Sequence, residues 1–254
     1  MRKILIFITL VLLGSFVANG QEESNSKLWQ KANDSYSLGD YKEAVALYKE
    51  IEERGYVSYK LYYNMANSYY KLQEDGLAIL YYSRALKLNP ANEDIKTNLE
   101  IARLKTLDKI EVIPEFILAS WLRRFRNTFS SDAWAMAALV LLVITALLLL
   151  VYKRGDSITV RKISFIFSMV LLFFTILAVT FSFTLRNDAV AADSAIVLLP
   201  VSNVKSAPND TGNNLFILHE GTQVEILESV GQWSRIELQD GRQGWMLSSD
   251  FEVI

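Results

Sequence analysis

The sequence contains no cysteine. That excludes thiol nucleophiles, disulfides, cysteine zinc sites and an acylated-cysteine lipid anchor. A single histidine, His219, leaves histidine-paired catalysis with one candidate base. Its position before Glu220 and Gly221 reads as an exposed or capping imidazole at a turn. Charge of one sign is also lacking: 26 Lys and Arg stand against 28 Asp and Glu. Residues 21–110 carry 13 basic and 14 acidic side chains, and residues 189–254 carry 3 and 9. Neither stretch is built to neutralise phosphates, so no nucleic acid partner is expected. With 254 residues the chain has room for two small domains and membrane segments, but not for a large enzyme fold beside them. The expectation is a non-enzymatic protein with no catalytic residues, no metal ligands and no cofactor.

Two runs, 133–151 and 163–185, contain no ionisable residue at all. Each has about the 20 apolar residues that a helix needs to cross a hydrocarbon core. Helices satisfy their own backbone hydrogen bonds in lipid, so the pair is expected to form a transmembrane hairpin around a short cytoplasmic loop, 152–162. Without an intramembrane charge it has no transport pathway to offer. Residues 1–20 read as a secretory signal: Arg2 and Lys3, an apolar stretch from Ile4 to Leu13, then Ala18 and Gly20 spaced for cleavage before Gln21. An uncleaved anchor would give the same topology. The positive-inside rule is silent, because Lys153, Arg154, Arg161 and Lys162 in the loop are balanced by Arg123, Arg124, Arg126 and Arg186 on the outer flanks. The export signal breaks the tie and puts both soluble parts in the periplasm, on the outer face of the inner membrane.

Residues 27–109 repeat at 34 positions. Ala32/Ala66, Tyr36/Tyr70, Ala44/Ala78 and Tyr48/Tyr82 obey this shift, and the second unit closes with Asn89-Pro90. Small residues where helices touch, with aromatic residues beside them, resemble the tetratricopeptide repeat. Ile95, Leu99, Ala102 and Leu104 follow a helical stripe and supply a third, incomplete unit as a cap. Asp40 with Glu43 reads as a capping box. Asn33/Asn67 and Asn64/Asn98 also repeat at 34. In the repeat family their helix face lines a concave groove, where amides can hold the backbone of an extended peptide. Trp29, Tyr63 and Lys71 would flank that groove. Solvated polar positions on a helix are the alternative reading of the asparagines.

Residues 110–132 combine Phe116, Trp121, Leu122, Phe125 and Phe129 with Arg123, Arg124 and Arg126, as expected of an amphipathic interfacial helix whose arginines reach lipid phosphates. Pro114 fits its first turn. Residues 189–254 change to short alternating strands: 195–199, 203–206, 215–218, 223–227, 234–238 and 244–247. The marks Val204-Lys205-Ser206-Ala207-Pro208, Gln232-Trp233-Ser234-Arg235-Ile236 and Asp240-Gly241-Arg242-Gln243-Gly244-Trp245 resemble bacterial SH3-like domains. Gly221, Gly241 and Gly244 are expected at tight turns, and Trp233 and Trp245 at the core or rim of a small barrel, as its candidate surface. The architecture expected is thus multidomain: all-α tetratricopeptide helical repeats, a two-helix transmembrane hairpin and an all-β SH3-like small barrel.

This order of parts, with Asn98-Leu99-Glu100-Ile101-Ala102-Arg103-Leu104, Asp108-Lys109-Ile110, Pro114-Glu115-Phe116 and Phe129-Ser130-Ser131-Asp132-Ala133-Trp134, resembles the BatE-type proteins of the Bacteroidetes aerotolerance (Bat) operon. The resemblance covers nearly all of residues 21–254. It implies partners among von Willebrand A-domain membrane proteins and a MoxR-linked complex, a role in envelope stress tolerance, and no catalytic residues. An envelope sensor or anchor whose SH3-like domain binds peptidoglycan peptides is the alternative function.

Overall fold

The computed structural model describes residues 25–110 and 116–254; the expected signal segment and Pro114 lie outside the described residues. The helical repeats comprise α1 (25–37), α2 (Tyr41–Glu53), α3 (Tyr59–Lys71), α4 (Asp75–Leu88) and α5 (Glu93–Arg103). Their starts are set by short polar side chains that accept from first-turn amides: Asp40 from Glu43 N (3.3 Å), Ser58 from Leu61 N (3.2 Å) and Asn92 from Ile95 N (3.1 Å). Glu43 turns to Lys31 instead (3.0 Å), so only half of the expected capping box forms. Ala32, Ala44, Ala66 and Ala78 are fully buried where neighbouring helices touch. Ile95, Leu99 and Ala102 of α5 are buried as expected of a cap. Leu104 is 77% exposed, because the helix ends at Arg103 and turns its stripe away.

Next come α6 (Ile117–Arg126), then α7 (Ser131–Arg154) and α8 (Ile158–Val190), two helices long and apolar enough to cross a membrane. They form an antiparallel hairpin joined only by residues 155–157. Most of the expected loop is therefore helical, since no glycine or proline interrupts either helix before Gly155. The seam buries small and hydroxylated side chains, Ala138, Thr145, Ser168, Thr175 and Ala178. Thr145, Ser168 and Thr175 return their hydroxyls to carbonyls of their own helices, which lets the backbones approach without stranding a donor. At about 1.5 Å per residue, the 33 residues of α8 span about 50 Å, well beyond a hydrocarbon core about 30 Å thick.

The C-terminal sheet has seven antiparallel strands in the order β3-β2-β6-β5-β4-β1-β7. Their ranges are β1 (Ser194–Val197), β2 (Ser202–Lys205), β3 (Asn214–Leu218), β4 (Gln223–Val230), β5 (Trp233–Glu237), β6 (Gln243–Leu247) and β7 (Phe251–Val253). The short β7 was not among the expected strands, and it pairs with β1. Gly221 and Gly241 occupy positive-φ turns, at 86° and 84°. Gly244 does not: it lies within β6, where a Cβ would meet Val204 Cγ1 at 2.4 Å, so its role is close packing rather than a turn.

The sheet docks on the repeats. Alternate residues of β1 point to opposite faces. Ala195 and Val197 enter the barrel core, whereas Ile196 joins the core of the helical repeats, with Leu198 packed beside it. Helix α4 is buried on most of its circumference as a result. Arg84 of α4 reaches Glu252 (2.8 Å) and Val253 O (2.6 Å), Lys87 donates to Ala191 O and Ile254 O, and Arg103 donates to Gln223 (2.5 Å). The end of α4 is completed across this contact. Glu74, its N-cap, provides no side-chain hydrogen bond, and Glu220 Oε1 accepts from Gly76 N instead (2.9 Å). A Cβ on residue 76 would lie 2.5 Å from Glu220 Cγ, so the 34-residue register, which has Lys42 at this position in the first unit, is broken here by glycine.

This geometry reverses a helix-propensity expectation. Gly76→Ala alone should fail to stabilise, because it displaces the cap. In a Glu220→Ala background the same change should stabilise by about 0.5–1 kcal/mol, the ordinary glycine-to-alanine gain within a helix. Thermal unfolding of the detergent-solubilised chain, comparing both single variants and the double variant, measures this; additive effects would refute the coupling.

Candidate functional site

Helices α1, α3 and α5 share one face, along which the asparagines form two copies of one network. Asn33 Oδ1 accepts from Tyr48 Oη (2.6 Å) and from Asn64 Nδ2 (3.1 Å). One repeat later, Asn67 Oδ1 accepts from Tyr82 Oη (2.5 Å) and from Asn98 Nδ2 (3.3 Å), and Asn98 also donates to Tyr63 Oη (2.9 Å). Asn33 and Asn67 therefore each tie a buried tyrosine of the second helix of their unit to the first helix of the next. Burial pushes the Tyr48 phenol up to about 12 and also raises those of Tyr81 and Tyr82, which keeps them neutral donors.

The ladder uses half of each amide. Among the described residues, Asn33 Nδ2, Asn67 Nδ2, Asn64 Oδ1 and Asn98 Oδ1 make no hydrogen bond. The four asparagines line two adjoining cavities that share Tyr36. One, about 260 Å³, is lined by Asn33, Ser37, Tyr48 and Asn64; the other, about 390 Å³, by Tyr63, Asn67, Tyr70, Lys71, Asn98 and Ile101. Six of the seven residues expected in the groove are thus brought together. Trp29 is not. It holds the register position of Tyr63 and packs edge-on to Tyr48 (5.7 Å), but lines a separate cavity with Arg54, Tyr56 and Tyr59. Ile101 carries no repeat signal, and Tyr36 and Tyr70 were expected only as packing aromatics.

Residues 59–92, α3 and α4 with the turn that follows, match the tetratricopeptide repeat family model. Residues 200–252 match the bacterial SH3 domain. No curated protein matches the chain. Both matches are to modules used for binding, and the groove lies on the repeat module.

In the SH3-like barrel Trp233 and Trp245 lie on the outer face of the sheet, opposite the core residues Ile236 and Met246; Trp233 is 6% exposed beneath the ammonium of Lys205 (5.4 Å to the ring), and Trp245 is half-buried on β6. His219 is held rather than free. Its Nδ1 lies 2.8 Å from Asp108 Oδ1, while Asp108 Oδ2 accepts from His219 N (2.7 Å) and Thr222 Oγ1 (2.6 Å). The carboxylate after α5 thus organises the β3–β4 turn that carries Glu220 to α4. Burial pulls the Asp108 carboxyl upward, but hydrogen bonds from Thr222 and His219 outweigh it and hold it below its ordinary value.

Two outcomes follow. Asn67→Ala strands the buried Tyr82 hydroxyl and should cost about 1–3 kcal/mol, and adding Tyr82→Phe should recover part of the loss; a double-variant thermal unfolding cycle checks this. Because Asp108 is depressed in the fold, its contribution is complete above the unfolded carboxylate value of about 3.9 and disappears as pH falls through its lower folded value. Wild type and Asp108→Asn should therefore differ in unfolding temperature at neutral pH and converge in acid.

Proposed function

We propose that the protein is a non-enzymatic inner-membrane scaffold, with its repeats and SH3-like barrel held together in the periplasm to bind partner proteins. The groove carries this reading: paired amide donors and acceptors stand at repeat spacing between aromatic walls, which suits the backbone of an extended peptide with little demand on its sequence. Tetratricopeptide and bacterial SH3 domains are both binding modules, and the long apolar α7 and α8 favour a membrane home. The resemblance to BatE-type proteins makes von Willebrand A-domain membrane proteins and a MoxR-linked complex the expected company, in an aerotolerance or envelope-stress role. Peptidoglycan peptides at the SH3-like barrel are the competing target.

The test substitutes groove residues that take no part in the ladder. Lys71→Glu with Ile101→Ser should abolish crosslinks in membranes to von Willebrand A-domain proteins and leave sedimentation with sacculi unchanged. Crosslinks that persist would remove the groove from the interaction. Sedimentation of the full chain with sacculi that is lost on Trp245→Ala would favour the wall-binding function. Orientation is read separately: a cytoplasmic reporter should be active after Gly155 and silent after Ile254.

A further inference from the structure

Helix α6 divides its surface sharply. Leu118, Trp121, Leu122 and Phe125 are exposed on one side. Ser120, Arg123, Arg124 and Asn127, at i, i+3, i+4 and i+7, lie on the other and line a cavity of about 570 Å³. Its opposite wall belongs to the repeat domain: Pro90, Ala91, Glu93 and Lys96, from the turn before α5 and its start. Among the described residues, Arg123, Arg124 and Lys96 line it with one carboxylate, Glu93, which pairs with Lys96 (2.7 Å), and Arg123 is itself engaged. Among the described lining residues the cations outnumber the carboxylates, with Arg124 the cation that adds to the Glu93–Lys96 pair.

Its position is set by the mouth of the hairpin. Phe125 packs edge-on to Trp134 (5.8 Å) and Phe181 (6.1 Å), Trp134 Nε1 donates to Arg126 O (2.8 Å), and Arg126 pairs with Asp188 at the end of α8 (2.9 Å). The apolar side of α6 thus continues the apolar belt of α7 and α8, and its basic side opens just above the level where that belt ends. With α7 and α8 spanning a bilayer, that level corresponds to the depth of lipid phosphates.

We propose that this cavity holds the headgroup of an anionic phospholipid, with the phosphate between Arg124 and Lys96 and with Arg123 at its rim. Guanidinium forks suit phosphate oxygens, and the negative headgroup complements the charge of the walls. The site goes beyond arginines reaching the bilayer singly, because Lys96 comes from the repeats. A bound headgroup clasps the repeat domain to the membrane surface. The inference rests on the reading of α7 and α8 as a membrane hairpin.

The probes are phosphatidylglycerol, phosphatidylcholine and inorganic phosphate, added to the full chain in detergent, with retained lipid read by native mass spectrometry. Wild type should retain phosphatidylglycerol several-fold better than phosphatidylcholine. Lys96→Gln and Arg124→Gln should each remove most of that preference, and Lys42→Gln, an exposed cation on α2, should leave it intact. Inorganic phosphate should not displace the lipid. Equal retention of both lipids, a preference untouched by Lys96→Gln, an equal loss on Lys42→Gln, or displacement by phosphate would each overturn the proposal. Alkaline carbonate extraction of cell membranes tests the hairpin separately: a chain that stays in the membrane but shows no lipid preference defeats only the headgroup site, and a chain that is extracted defeats the membrane reading and the site with it.

Discussion

Ile196 has no accessible surface, and helices rather than strands cover it. A strand that feeds two cores cannot be separated from either without exposing apolar area, so β1 makes the repeats and the barrel one folding unit. The other contacts depend on this burial. Once β1 lies along α4, Glu252, Val253 and Gln223 come within reach of Arg84 and Arg103. Asp108 then meets the β3–β4 turn, and Glu220 completes a helix that its own N-cap leaves open.

The docking also assigns the faces of the repeats. The barrel occupies α4, which brings an apolar run, Leu77 to Tyr82, that a helix in such a short stack could not otherwise cover. The face formed by α1, α3 and α5 stays open. There one half of each amide links consecutive units while the other half makes no hydrogen bond, and all four asparagines line the cavities. The ladder makes that face a rigid frame, with its polar groups fixed in the fold.

Short connections extend this rigidity to the hairpin. Only residues 191–193 separate α8 from β1, and Lys87 and Arg126 fasten the same corner, one to Ala191 O and one to Asp188. The soluble unit thus sits against the mouth of the hairpin instead of hanging from a flexible tether. Helix α6, packed through Phe125 on Trp134 and Phe181, fills the step between the repeats and the apolar hairpin.

The 34-residue period, the two uncharged runs and the short alternating strands are local regularities, and the sequence by itself determined from them the helical repeats, the long apolar helices and the antiparallel barrel. It also marked Asn33, Asn64, Asn67 and Asn98 as one set, because periodicity survives without coordinates. Two local hints of the docking stood in the sequence as well. The strand Ala195–Leu199 is apolar at every position, which befits burial on both faces, and Gly76 breaks the repeat register. Neither names its partner. Only the tertiary structure decided that Ile196 belongs to the helical core, that Glu220 caps α4 from 144 residues away, and that Trp29 faces a different cavity from Tyr63. The reason is physical: pattern records which side of an element is apolar or polar, whereas contact between distant elements depends on how whole faces fit once each has folded.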